Sequence, residues 1–228
     1  MRLIQQAWTV AAKDLRSELR TKESLNAAGG FALVILVLFS FVTDPGETET
    51  LYALSGGLLW LVFAFAGVLI LNRSFAREQA NDCLDALIAS PLSPAALILG
   101  KSAASFVLLL IVELPCLPIF GGLYGLSQWS SHWLGLVGVV LLGTWGMTVI
   151  GAVFSALTVN LRLRELMLPM LVYPLLIPVL MSAMRLSTVF ISGKDLEADD
   201  AIWLRLMIAF DIIFTALALA LAEDVLVS

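Results

Sequence analysis

Long apolar runs separated by short polar segments dominate this chain. Each run reaches or approaches the roughly 20 residues that an α-helix needs to cross a hydrocarbon layer of about 30 Å. The pattern predicts six transmembrane spans, at residues 25–42, 51–71, 103–126, 133–159, 166–184 and 204–222. Because no internal repeat, low-complexity tract or linker divides residues 1–228, the sequence predicts one all-α integral membrane domain.

Residues 1–24 precede the first run and have a different periodicity. One helical face would carry the apolar residues Ile4, Trp8, Ala11, Leu15 and Leu19. The opposite face would carry the basic residues Arg2, Lys13, Arg16 and Arg20. This pattern predicts an amphipathic elbow helix that lies in the membrane interface. The segment is too long and too mixed in charge for a secretory signal, so we expect it in the mature protein.

The distribution of basic residues predicts the orientation. Ten of the thirteen Lys and Arg residues lie in the N-terminal arm, in the loop 72–102 and in the loop 160–165. By the positive-inside rule these segments, and with them both termini, are expected to be cytoplasmic. The loops 43–50, 127–132 and 185–203 are then expected to face outward.

Composition narrows the function classes. Hydrophobic residues make up 60% of the chain and charged residues 14%, which excludes a water-soluble domain. The net charge of −5 argues against a nucleic-acid partner and leaves the bilayer and other proteins. Two cysteines and one histidine cannot build a disulfide framework or a structural zinc site, so no metal is expected.

The tripeptide Gly100-Lys101-Ser102 is similar to the end of a phosphate-binding P-loop. However, Ala95 stands where the first glycine would be needed, and Ser93-Pro94 is typical of a helix N-terminus. We therefore expect Lys101 to lie two turns into a helix and to extend its amine to the cytoplasmic interface. No ATP site is predicted in this chain.

The sequence of the cytoplasmic loop predicts a short charged helix at residues 76–89, which Pro91 ends. Its apolar side would carry Leu84, Leu87 and Ile88, and its polar side Glu78, Asp82 and Asp85. Such a helix is either a solvated connector or a coupling helix that inserts into a groove of a partner. The short connections at both ends favour the coupling helix.

Three groups of residues resemble one family over nearly the whole chain. The first is Phe75-Ala76-Arg77-Glu78-Gln79-x-x-Asp82-Cys83-Leu84-Asp85-x-Leu87, followed by Ser90-Pro91 and Gly100-Lys101. The second is Lys13-Asp14-Leu15-Arg16-x-Glu18-Leu19-Arg20, and the third is Glu113-Leu114-Pro115. Together they resemble the CcmB family, the haem exporter protein B family of cytochrome c maturation.

The resemblance implies a permease-like subunit of an ABC transporter complex in the bacterial inner membrane, present in two copies and without catalytic residues. Implied partners are a cytoplasmic CcmA-like ATP-binding subunit, CcmC-like and CcmD-like haem-handling subunits, and a periplasmic haem chaperone. ATP would bind the CcmA-like subunit, and the complex would handle haem, by export or by release of the loaded chaperone. The implied ATPase-coupling residues are Arg77, Glu78, Gln79, Asp82, Cys83, Leu84, Asp85 and Leu87.

Two other functions remain open from the residues alone. One is the permease subunit of a general ABC-2 type exporter. The other is an assembly scaffold that transports nothing and transmits ATP-driven strain to a haem-delivery complex. A substrate path needs polar or aromatic groups through the full depth of the bilayer, whereas a scaffold needs only the coupling helix and lateral contact surfaces.

Two acidic residues fall near the middle of predicted spans. Glu113 and Asp211 would each cost about 2.5 kcal/mol or more if charged and unpaired in the bilayer. Either each is neutralised or hydrogen-bonded locally, or the two form a functional polar seam. Pro115 and Pro118 follow Glu113, so a bent or broken third span is expected there.

Two further features leave alternatives open. His132 lies between Trp129 and Trp133. It is either a haem ligand or a polar group in an aromatic belt, and we favour the second, simpler interpretation. The fourth span is rich in small residues that permit close helix approach. These residues could serve packing within the chain or a homodimer interface.

Overall fold

The computed structural model describes residues 3–42, 48–75, 92–158 and 163–227, with only the backbone of residues 48, 127, 129, 164, 165 and 227. The described residues are almost entirely helical. The α-helices are α1 (Leu3–Thr21), α2 (Glu23–Val42), α3 (Thr48–Ser74), α4 (Pro94–Leu123), α5 (Trp133–Thr158), α6 (Arg164–Ile191), α7 (Asp200–Ala220) and α8 (Ala222–Val227). A short 3-10 helix at Ser127–Ser131 precedes α5.

Six of these helices, α2 to α7, are long and apolar enough to cross a membrane, which confirms the predicted fold class. The largest boundary difference is in α4, which begins at Pro94 rather than at residue 103. Ser93 caps this helix, because its side chain accepts a hydrogen bond of 3.2 Å from the Ala96 backbone N–H. The helix therefore starts two turns before the apolar run.

Proline does not interrupt the spans. Pro115 and Pro118 lie inside α4, and the helix continues through both to Leu123. The prolines of α6, Pro169, Pro174 and Pro178, are likewise inside one continuous helix. The third span is therefore not broken at its prolines, because neighbouring groups in a packed bundle can satisfy the carbonyls that proline leaves without a donor, and the expected bend stays a prediction.

Helix α5 lies at the centre of the bundle, and its glycines make close contacts within the chain. A Cβ atom at Gly143 would lie 2.2 Å from the Trp60 ring of α3. At Gly151 it would lie 2.4 Å from Leu71 of α3, and at Gly135 2.5 Å from Phe190 of α6. Gly135, Gly143 and Gly151 therefore pack α5 against its neighbours in the same chain, and a homodimer interface stays a prediction.

Helix α1 packs along α4 and keeps most of its predicted apolar arc outside the bundle. Ile4 and Trp8 are 79% and 71% exposed, whereas Ala11 is buried. A helix with bulky apolar side chains exposed on one side is suited to the membrane interface. The elbow between α1 and α2 is a single residue, Lys22, with a φ of 56°.

Candidate functional site

The first candidate region is a buried lysine at the end of the bundle that holds the elbow. Lys101 is 1% exposed, and its ammonium lies 3.0 Å from Asp14 Oδ2 of α1. The same group donates a hydrogen bond of 2.6 Å to the carbonyl of Ser74, the last residue of α3. It also lies 4.9 Å from the centre of the Phe75 ring. One cation thus connects α1, α3 and α4, and we call Lys101, Asp14, Ser74 and Phe75 the lysine junction.

The residue before Lys101 explains how α1 comes so close to α4. A Cβ at Gly100 would lie 2.6 Å from the Cβ of Val10 and 2.7 Å from the carbonyl oxygen of Ala7. Only a glycine leaves room for the backbone of α1 at this crossing. The Gly100-Lys101 pair therefore has a structural explanation, since the glycine admits α1 and the lysine pairs with it.

The prediction that Lys101 extends its amine to the cytoplasmic interface was wrong, because its side chain is 1% exposed. A lysine near a helix end extends toward water when no acceptor is available inside the bundle. Here Asp14 and the Ser74 carbonyl supply those acceptors, and the Phe75 ring covers the ammonium. The helix N-terminus at Ser93-Pro94 was predicted correctly, and with it the position of Lys101 two turns into α4.

Glu18 also binds within the chain, at the elbow. Its carboxylate accepts hydrogen bonds from the backbone N–H of Ser24 at 2.7 Å and of Leu25 at 3.2 Å. It thereby satisfies free donors in the first turn of α2 and holds the elbow closed. Sequence reasoning assigned no role to Asp14 or Glu18, although both belong to the run that carried the family resemblance.

The second candidate region contains the two intramembrane acids. Glu113 of α4 is fully buried, and its Oε2 accepts a hydrogen bond of 2.5 Å from the Thr144 hydroxyl of α5. Its other oxygen, Oε1, has no hydrogen-bond partner among the described residues. Glu113 is therefore half satisfied, which leaves one buried oxygen available for a proton or a further partner.

Asp211 of α7 has fewer contacts still. It is 7% exposed, and neither carboxylate oxygen has a hydrogen-bond partner in the described part of the chain. Gly146 of α5 provides the space for it, because a Cβ there would lie 2.7 Å from Asp211 Oδ1. The carboxyl therefore rests against the backbone of α5.

Helix α5 separates the two acids. Glu113 contacts Thr144 and Asp211 contacts Gly146, so both meet α5 near its middle. Two residues along an α-helix correspond to a rotation of about 200° and a rise of about 3 Å. Glu113 and Asp211 thus lie at nearly the same depth but on opposite sides of α5, and they do not form one continuous seam along a single face of it. Pro115 lies two residues beyond Glu113 in α4.

Both ring nitrogens of His132 have partners at the other end of the bundle. Nε2 lies 3.0 Å from Asp195 Oδ1, and Nδ1 lies 3.0 Å from the Ser131 hydroxyl. A haem iron would have to displace one of these partners to be bound by this histidine. Across the described ranges, no group of three or more His, Cys, Asp or Glu side chains is arranged to hold a metal ion.

The predicted coupling helix at residues 76–89 lies outside the described residues. Its assigned residues, from Arg77 to Leu87, therefore stay a prediction. Phe75 is the last described residue before it and is fully buried in the lysine junction. The structure thus defines the point at which this loop leaves the bundle.

The six apolar helices and the elbow helix define a helical multi-pass membrane protein. Over residues 5–228 the chain matches the family model described as CcmB protein. The chain belongs to the CcmB family.

Individual relatives agree with this assignment. The chain is 34% identical over 171 residues to "Heme exporter protein B" of Paracoccus denitrificans, covering 74% of this chain and 76% of the relative. It is 31% identical over 201 residues to the protein of that name from Pseudomonas aeruginosa, covering 88% of each. For the relative in Rhodobacter capsulatus the identity is 31% over 169 residues, or 74% of this chain and 76% of the other. With these bacterial relatives, the six helical spans identify a multi-pass protein of the bacterial inner membrane.

Proposed function

We propose that this chain is the membrane subunit of an ABC transporter complex of cytochrome c maturation. It couples ATP hydrolysis by a CcmA-like subunit to haem export or to release of a haem-loaded chaperone. The observation that carries the proposal is the match to the CcmB family over residues 5–228. Relatives named "Heme exporter protein B" support haem as the cargo. In this function the chain itself is non-catalytic, works with CcmC-like and CcmD-like subunits, and forms a homodimer in the complex.

The lysine junction supports a coupling role. The segment that would contact the ATPase leaves the bundle directly after Phe75, whose ring lies beside the Lys101 ammonium. Through Asp14 and Ser74 the same ammonium also binds α1 and the end of α3. A displacement of the loop would therefore move α1, α3 and α4 together rather than one helix alone.

The test of coupling is a charge reversal in residues 76–89. Glu78→Lys with Asp82→Lys should weaken co-purification of the ATPase or uncouple ATP hydrolysis from cytochrome c maturation. The matched control is Glu223→Lys with Asp224→Lys, which reverses two exposed acidic residues in α8. The control should leave both readouts unchanged. Unchanged assembly and coupling in the Glu78 and Asp82 variant would refute the coupling role.

The function also requires an orientation, with both termini and residues 76–89 in the cytoplasm. The basic asymmetry supports it, since ten of the thirteen Lys and Arg residues lie in the segments assigned to the cytoplasm and two lie in the outer loops. A membrane-impermeant thiol reagent added to intact cells should not label Cys83 but should label Ser192→Cys. The reverse pattern would invert the topology.

An assembly scaffold is the second candidate function. It is favoured by the position of α5 between Glu113 and Asp211, because a path lined by both acids would have to pass through this helix. Gentle extraction of the tagged chain, identification of its co-purifying proteins and a haem absorbance measurement separate the candidates. Haem in the purified complex favours export, whereas haem-handling partners without haem favour the scaffold. An ATPase recovered without those partners would instead indicate a general ABC-2 type exporter.

A further inference from the structure

A groove lies beside the elbow, between α2 and α4, and the proposed function does not use it. Its volume is about 400 Å³. The wall from α2 runs from Leu25 to Leu33, and the wall from α4 runs from Ile111 to Ile119. At 1.5 Å per residue each wall is about 12 Å long, close to the roughly 15 Å depth of one hydrocarbon leaflet. The groove therefore spans most of the depth of one leaflet and can hold much of one acyl chain.

The end of the groove at the elbow is polar and cationic. Lys22 and Asn26 line it, one helical turn apart, and the Asn26 backbone N–H donates to the Lys22 carbonyl at 2.9 Å. Lys22 is exposed and holds a φ of 56°, in the left-handed region that a lysine rarely adopts. This conformation ends α1 and turns the chain into α2, so it fixes Lys22 at the junction of the two helices.

The carboxylates next to Lys22 in the sequence are engaged with other groups. Glu18 accepts hydrogen bonds from the first turn of α2, and Glu23 pairs with Arg73 of α3 at 2.7 Å. Within the described ranges Lys22 has no ion pair. Its positive charge therefore stands at the head of an apolar groove, a combination that suits an anion attached to a hydrocarbon chain.

We propose that this groove binds an anionic phospholipid, with its phosphate at Lys22 and Asn26 and one acyl chain between α2 and α4. The outer side of α2 is suited to lipid contact, since Phe31 and Leu38 are exposed there. A transmembrane helix of a partner would use the apolar walls but not the cation. The acyl chain contacts α4 at Pro115 and Cys116, immediately after Glu113, and thus stabilises the segment of α4 that contains both prolines.

The charge requirement is tested by native mass spectrometry of the purified full chain. Phosphatidylglycerol is titrated against phosphatidylcholine with the same acyl chains. The chain should retain phosphatidylglycerol preferentially, and Lys22→Gln should weaken its binding by about fivefold. The control Lys194→Gln removes an exposed lysine from the segment between α6 and α7 and should change nothing. Equal binding of the two lipids, or equal effects of the two variants, would overturn the proposal.

The groove itself is tested by a pair of adjacent glycines in α2. A Cβ at Gly29 or at Gly30 would meet no atom within 4 Å, so neither substitution should disturb packing. Only Gly29 lines the groove. Gly29→Leu should therefore abolish phosphatidylglycerol binding, and Gly30→Leu should retain it. Full binding by Gly29→Leu would show that the lipid lies elsewhere.

The occupant in native membranes is identified by crosslinking. A photoreactive phenylalanine analogue in place of Leu33 puts the reactive group at the apolar end of the groove and leaves Lys22 and Asn26 intact. Mass spectrometry of the irradiated product should show a phospholipid adduct. An adduct with a second polypeptide, or with haem, would overturn the proposal.

Discussion

Two buried regions of this protein differ in how many partners their charged side chains have. At the elbow end of the bundle, Lys101 has a carboxylate, a carbonyl and an aromatic ring as partners. At the middle of α5, Glu113 has one hydroxyl, and Asp211 has no hydrogen-bond partner among the described side chains and backbone. In the first region the buried charge has several partners, whereas in the second region buried carboxylate oxygens have no hydrogen-bond partner among the described residues.

The difference separates structural charges from candidates for function. A buried ion costs several kcal/mol of desolvation, which only good geometry and additional hydrogen bonds offset. The lysine junction meets that requirement, so its charge serves to hold three helices together. Glu113 and Asp211 do not meet it in this conformation. They are tolerated if neutral or if a proton or a partner binds them in another state of the complex.

The largest effect is expected from removing the charge of Lys101, which has several buried partners. Lys101→Ala should lower the free energy of unfolding by about 3 kcal/mol, because it removes the buried ammonium shared by Asp14 Oδ2 and the Ser74 carbonyl and leaves Lys13, 3.1 Å from Asp14 Oδ1, as the remaining cation. Denaturant unfolding of the purified chain in micelles measures it. The matched control is Lys194→Ala, an exposed lysine, which should stay within about 0.5 kcal/mol of the parent.

A double variant checks that the loss comes from the missing ion pair between Lys101 and Asp14. Lys101→Met with Asp14→Leu removes both charges and should recover part of the stability lost in Lys101→Ala, since a buried pair can often be replaced by apolar groups. Wild-type stability of Lys101→Ala would show that the junction holds nothing together.

The next effect is expected at Glu113. Gln keeps an acceptor for the Thr144 hydroxyl, so Glu113→Gln should retain much of the maturation activity if hydrogen bonding is the role. Glu113→Ala should lose most of it and cost about 1–3 kcal/mol of stability, because a buried hydroxyl is left without an acceptor. Cytochrome c maturation in cells, with membrane levels of each variant measured, gives the comparison.

Two outcomes would change the interpretation of Glu113. If Gln and Ala fail alike at normal abundance, ionisation of the carboxyl is required. If Glu113→Ala is fully active, the residue has no function. Thr144→Val is the control for the partner, since it removes the donor while it keeps the side-chain shape.

A smaller effect is expected at Asp211. Asp211→Asn removes no hydrogen bond within the described residues, so the free energy of unfolding should change by less than about 1 kcal/mol. A maturation defect at unchanged stability would indicate that the carboxyl itself acts in the cycle. A stability loss as large as that of Lys101→Ala would instead make Asp211 structural and remove the contrast between the two regions.

Hydropathy predicted the membrane spans well and failed where a charge is neutralised by a distant residue. The apolar run of the third span was expected to begin at residue 103, after Lys101-Ser102, whereas the capping pattern at Ser93-Pro94 correctly predicted where its helix begins. The error concerned the side chain of Lys101, because its ion pair with Asp14 joins two helices that are far apart in the sequence.

The sequence predicted the depth of the candidate residues in the membrane but not the residues that they contact. The depth of Glu113 and Asp211 follows from counting residues along an apolar run. Their separation by α5 depends on how each helix is rotated about its axis, and glycine contacts such as Gly143 with Trp60 set that rotation. No single helix encodes such contacts. The predicted ATPase-coupling residues between Arg77 and Leu87 stay a prediction.

The smallest effect is expected for the ion pair between Arg73 and Glu23. Arg73 is next to Ser74 of the lysine junction in the sequence, but the pair is exposed. Arg73 lies at the end of α3 and pairs with Glu23 at 2.7 Å, with the two side chains 40% and 64% exposed. Solvent screens such a pair, so Arg73→Gln should lower the free energy of unfolding by about 0.5 kcal/mol or less. The same unfolding measurement applies to Lys101→Ala, whose expected loss is several times larger. Both charges are at the end of α3, since Arg73 belongs to its last turn and Lys101 donates a hydrogen bond to Ser74. Added salt should reduce the Arg73 effect and leave the Lys101 effect nearly unchanged, because only the exposed pair is accessible to ions. Equal losses in the two variants would mean that burial does not distinguish the two pairs, and the contrast between buried and exposed charges at this end of the bundle would fail.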